Sequence, residues 1–136
     1  MHATPSPYFL ACVRREILPC VGKPWAITAR GPDSFDCWGF VLWVLGRSGL
    51  QLPDWLYSPT DDRALLFERG ILEGWVQVPA KSKISIVTFG KDGSFSHVGI
   101  ILDAECYHCT SGHGVVRSPI GAMTHIFNTV NYWWPE

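Results

Sequence analysis

The sequence predicts an α+β fold, with helices from the N-terminal half packed on an antiparallel β-sheet from the C-terminal half. Three observations carry this expectation. Apolar residues recur at helical spacing in two segments before residue 50. From Trp75 onward the chain divides into short extended runs separated by Gly, Asp and Ser. With 136 residues and no repeat or low-complexity tract, the chain fits one domain that buries roughly two thirds of its unfolded surface.

Residues 1–7, with Pro5 and Pro7, read as a flexible start, and residues 8–136 as a single domain. Tyr8 to Val21 reads as a helix from Phe9, Leu10, Val13, Ile17, Leu18 and Val21, with Pro19 weakening its last turn and Gly22-Lys23-Pro24 ending it. Trp25 to Ser34 reads as an irregular loop. Asp36 suits an N-cap, so Cys37 falls in the first turn of a helix whose buried face is Phe40, Val41, Val44 and Leu45 and which stops near Gly46–Gly49. Gln51-Leu52-Pro53-Asp54 forms a turn, and Thr60 to Leu72 a further helix. The strands expected are Trp75–Val78, Lys83–Phe89, His97–Leu102, Glu105–Thr110, Val115–Ser118 and Ile126–Trp134, with a turn at Lys91-Asp92-Gly93-Ser94.

Composition excludes several functions. Hydrophobic residues make up 47% and charged residues 17%, which is globular rather than disordered. The net charge is −1 and Lys and Arg are scattered, so there is no positive field to hold nucleic acid. No run reaches the ~18–20 apolar residues of a membrane span. Met1 to Pro7 has no basic stretch followed by an apolar one, so synthesis in a cytoplasm without a secretory signal is expected. The five cysteines, Cys12, Cys20, Cys37, Cys106 and Cys109, lack the spacing of a disulfide framework and read as reduced thiols. Seven Trp fit either core packing or a partner surface, with Trp133 and Trp134 the candidates for the latter.

The chemistry sits at Cys37, His97 and His108. A free thiol has a pKa near ~8.5, and both a helix N-terminus and a nearby imidazolium lower it. The resulting thiolate attacks an amide carbonyl, and His97, at the start of a strand, protonates the departing amine. His108, on the next strand, orients His97, and the Cys37 backbone N–H serves as an oxyanion donor. Each residue also has a duller reading: a Cys opening a helix packs in the core, and a His before Val-Gly-Ile is structural. His113 is the alternative third member. Cys106, His108, Cys109 and His113 could instead bind zinc, although strand alternation puts Cys109 on the face opposite Cys106 and His108.

With these residues in place, the chain resembles the NlpC/P60 family of papain-like cysteine peptidases over about residues 8–120. The resemblance lies in Phe35-Asp36-Cys37-Trp38-Gly39-Phe40-Val41, Gly49-Leu50-Gln51-Leu52-Pro53 and Ser96-His97-Val98-Gly99-Ile100-Ile101-Leu102. It implies a papain-like fold with the nucleophile at a helix N-terminus, Cys37, His97 and His108 as catalytic residues, and no metal or cofactor. The substrate class it implies is peptidoglycan stem peptides of the γ-D-glutamyl–diaminopimelate type. Trp25 matches the family's aromatic segment after Gly-x-Pro, and Trp25, Asp36, Trp38 and Ser96 are the expected substrate-binding residues. Trp38 stands where the family has Ser, which resembles the phage tail-associated branch and implies a virion component opening the wall during genome delivery, with tail-tip or hub proteins as partners. The alternatives are a structural tail-hub module with little activity, and a papain-like amidase or effector with another substrate.

Overall fold

The computed structural model describes residues 5–54 and 74–135. The expected helix from Thr60 to Leu72 lies outside these residues, as do positions 1–4 of the expected flexible start. Helix α1, Pro7–Ile17, is capped by Ser6, whose hydroxyl accepts from the Phe9 amide at 3.1 Å, and it opens on a proline whose missing N–H costs nothing there. The helix stops at Ile17 instead of Val21. Pro19 has no N–H to continue it, and Leu18–Cys20 tightens into a 3-10 turn.

The segment before the next helix is irregular, as expected, but closed on itself. Ala26 N donates to Phe35 O (3.0 Å), Phe35 N to Pro24 O (3.1 Å) and Asp36 N to Ala29 O (3.1 Å). Helix α2, Cys37–Arg47, starts where Asp36 Oδ1 accepts from the Gly39 amide at 2.7 Å. It ends as Leu50 N returns to Leu45 O at 2.9 Å, with Gly49 at a φ of +104° that favours glycine.

The strands are β1 (Trp75–Gln77), β2 (Ile84–Lys91), β3 (Ser94–Leu102), β4 (Glu105–Thr110), β5 (Gly114–Pro119) and β6 (Thr129–Pro135). Among the described residues they form one antiparallel sheet in the order β1-β6-β2-β3-β4-β5. Helices α1 and α2 cover one face, where Val13, Ile17, Phe40, Val41, Val44 and Leu45 meet Ile86, Val98, Ile100 and Tyr107. A short helix, α3 (Ile120–Ile126), covers part of the other face and packs Met123 against Val87, Phe89, Ile101 and Cys106. Burial on both faces explains why Ile84 to Gly90 is buried without alternation.

Two expectations at the C-terminus are corrected. Ile126 ends a helix rather than opening a strand. Trp133 and Trp134 are not an exposed docking surface: β6 lies inside the sheet between β1 and β2, and both side chains are buried. Trp133 Nε1 donates to Thr88 Oγ1 at 2.9 Å, and Trp134 meets Phe9 edge-on at 5.8 Å. The Trp count thus reflects packing at these two positions.

Candidate active site

Cys37 lies in the first turn of α2, where helix amides have no internal acceptor and the helix dipole is positive. It is buried, and it opens on a cavity of about 690 Å³ that His97, His108 and Cys109 also line. Trp25, Ser96, Thr110, Ser111 and His113 line the same cavity. Met123, Ile126 and Phe127, carried by α3 and the residue after it, line the same cavity with apolar side chains.

His97 is aimed by a bulge. Phe89 pairs with His97 and Gly90 with Phe95, so Ser96 is an extra residue on β3 and the strand turns there. The His97 ring then stacks on Phe89 (5.8 Å between centroids) and on Phe127 (6.0 Å, 14° between planes). His97 Nε2 and His108 Nδ1 are 2.9 Å apart, and His108 Nε2 lies 3.0 Å from Ser118 Oγ. Burial pushes the His108 imidazole down to about 4 from its usual 6.5, so the ring is neutral near pH 7. A neutral His108 can accept one hydrogen at Nδ1 and donate another from Nε2.

Gly99 makes room for the pair. A Cβ at this position would lie 2.9 Å from Tyr107 O and 3.0 Å from His108 Cβ, too close for β3 and β4 to keep their spacing. The His-Val-Gly-Ile pattern therefore has a steric basis: the glycine is two residues after His97, on the face of the sheet that carries His108.

The other thiols have different surroundings. Cys109 Sγ donates to Phe35 O at 3.2 Å, and burial pushes the Cys109 and Cys106 thiols up to about 12. Cys109 packs with the α2 face of the sheet and Cys106 with the opposite one. Cys106, His108, Cys109 and His113 accordingly do not converge, and among the described residues no cluster of three or more His, Cys, Asp or Glu side chains could hold a metal.

Asp36 and Trp38 occupy different positions from those expected of substrate-binding residues. Both are fully buried, and neither is among the described residues lining the cavity. Besides capping α2, Asp36 Oδ1 accepts from Arg30 Nη1 at 2.8 Å, while Arg30 Nε and Nη2 donate to the two Asp54 oxygens at 2.9 and 3.0 Å. Trp38 donates from Nε1 to Pro53 O at 3.2 Å and packs against Trp75. An N-cap side chain is committed to its helix, and the residue after Cys37 points into the core.

Ser118, Phe89, Phe127 and Arg30 were not foreseen. Ser118 could have been found from hairpin register. His108 pairs with Val116 across β4 and β5, which puts Ser118 diagonally adjacent on the same face. The aromatic contacts depend on the bulge and on α3, for which no comparable pattern exists in the sequence.

A thiol at a helix N-terminus facing an imidazole pair on adjacent antiparallel strands defines the papain-like α+β class. Within it, the chain belongs to the NlpC/P60 family, whose sequence profile matches residues 22–124. No curated protein matches the sequence. Among solved structures, the chain is similar to the NlpC/p60 domain of the peptidoglycan hydrolase SagA (19% identity, 93% of this chain and 98% of that one, TM-score 0.62). It is also similar to a lipoprotein-like NLP/P60 family protein from Staphylococcus aureus (20% identity, 84% of this chain, TM-score 0.63) and to NlpC2 from Trichomonas vaginalis (16% identity, 98% of this chain, TM-score 0.68). The match spans only 37% of the staphylococcal chain and 48% of the Trichomonas chain.

Proposed function

We propose that this protein is a cysteine peptidase that hydrolyses amide bonds in peptidoglycan stem peptides, of the γ-D-glutamyl–diaminopimelate type. The observation that carries the reading is the 2.9 Å link between His97 Nε2 and His108 Nδ1 on the wall of the cavity that also holds Cys37. Family membership and the resemblance to a domain of a peptidoglycan hydrolase support the substrate class.

The steps follow from the groups present. The Cys37 thiol gives its proton to His97, and the thiolate attacks the amide carbon, forming a C–S bond. First-turn amides of α2, that of Cys37 foremost, stabilise the oxyanion. His97 returns its proton to the departing amine as the C–N bond breaks, leaving a thioester. Water, deprotonated by His97, then attacks the thioester, releasing the acid and restoring the thiol. His108 stays neutral throughout and accepts from His97 Nε2–H. Trp25, Ser96, Met123, Ile126 and Phe127 line the groove that receives the substrate. The aromatic residue after the nucleophile, Trp38, supports the finer placement in a phage tail.

Incubation with purified stem peptides followed by mass spectrometry tests the reading. The wild type should release products split at the γ-D-glutamyl bond, and Cys37→Ala none. Identical product profiles would remove the enzymatic reading. The same assay on particles of the encoding phage, with no Cys37-dependent product, would remove the tail placement alone.

A further inference from the structure

His108 has a partner on each ring nitrogen, and only one of these belongs to the reaction described above. The second is Ser118, near the end of β5, with its oxygen 3.0 Å from His108 Nε2. We propose that Ser118 is a positioning residue whose hydroxyl accepts from His108 Nε2–H and so stabilises the tautomer that can support a protonated His97. This rests on the reading of Cys37 and His97 as the reacting pair.

The proton count leaves one consistent arrangement. A protonated His97 carries hydrogens on both nitrogens, so its Nε2 donates across the 2.9 Å separation to His108 Nδ1. That nitrogen must be bare, and the one hydrogen of the neutral His108 ring then sits on Nε2. It needs an acceptor, because a buried donor left unpaired is costly. Ser118 Oγ is that acceptor. With Nε2 of His97 engaged, Nδ1 is the nitrogen left for the thiol. When His97 gives its Nδ1 proton to the leaving amine, its Nε2–H bond is untouched, so the chain from His97 through His108 to Ser118 is the same in every step. Without Ser118, the Nε2–H that a donating His97 requires loses its acceptor, and that tautomer is favoured only from the His97 side. The opposite tautomer would present Nδ1–H to His97, which is incompatible with His97 protonated on both nitrogens.

Among the described contacts, Ser118 Oγ is the polar group within hydrogen-bond distance of His108 Nε2. Cys37 comes from α2, Cys109 from β4 and His113 from the β4–β5 turn, and all three line the cavity beside His97. Phe89 of β2, which packs against both rings, and Phe127 after α3, which stacks on His97, do not titrate. Burial keeps the His108 ring neutral.

Two variants of the full chain test the assignment, Ser118→Ala and Ser118→Thr. Nitrogen-15 NMR of the histidine rings should show His108 with hydrogen on Nε2 in the wild type and in Ser118→Thr, and a mixture of tautomers in Ser118→Ala. On stem peptides, Ser118→Ala should lower kcat roughly tenfold with KM unchanged, and Ser118→Thr should restore it. A wild-type tautomer or a wild-type kcat in Ser118→Ala overturns the assignment, as does a Thr variant as impaired as the Ala variant. If stem peptides are not hydrolysed at all, the substrate reading fails, and the tautomer measurement still decides the role of Ser118.

Discussion

His108 joins the protein's stability to the protonation state its site requires. Its folded value of about 4 lies below the usual 6.5, so between these pH values the unfolded chain binds the extra proton and the folded chain does not. Stability is therefore full above pH 6.5 and falls as pH drops through this window toward 4. Above the ordinary glutamate value of 4.5, the ion-paired acids Glu16 and Asp103 contribute little to the slope. The urea midpoint of the wild type should thus decline between pH 6.5 and 4.5, and His108→Gln should flatten the decline. An equal slope in both proteins would mean that His108 is not held neutral by the fold. At this scale the sequence was readable where a residue's role is local. Asp36 as N-cap and Cys37 in the first turn follow from the start of one helix. The direction of the next side chain did not, because Trp38 turns inward to meet Pro53 and Trp75, far along the chain.

At the scale of elements, β3 and β4 carry the imidazole pair, and their spacing depends on Gly99. Gly99→Ala should cost about 1–3 kcal/mol through overpacking and lower kcat by displacing His108. Chemical denaturation and kinetics of that variant check both, and a fully stable, fully active protein would show that the strands have room to spare. The expected strands at Glu105–Thr110 and Val115–Ser118 match β4 and β5 closely, since the Asp103-Ala104 turn and the glycines Gly112 and Gly114 bound short β-prone runs. Helix α3 escaped notice for a physical reason. It has seven residues, no side-chain cap and one buried side chain, Met123, so it leaves no periodicity in the sequence. It is held by the sheet face it covers, and Phe127, which stacks on His97, is placed by where it ends.

For the whole molecule, the order β1-β6-β2-β3-β4-β5 puts the last strand inside the sheet. The α+β class was legible because helical and extended patterns segregate along the chain. The strand order was not, because the pairing of β6 with β1 and β2 is set by contacts such as Trp133 with Thr88 across 45 positions. The same long-range assembly brings α2 and the β3–β4 pair around one cavity, and no helix of the described residues is long and apolar enough to cross a membrane. The central claim is that this assembly makes one of five thiols a nucleophile. Its most direct test is the rate of iodoacetamide labelling at each cysteine near pH 6, read by peptide mass spectrometry on wild type and His97→Ala. Cys37 should be labelled far faster than Cys12, Cys20, Cys106 and Cys109 in the wild type, and should lose that advantage in His97→Ala. Labelling of Cys37 no faster than the other thiols, or equally fast without His97, would contradict the account.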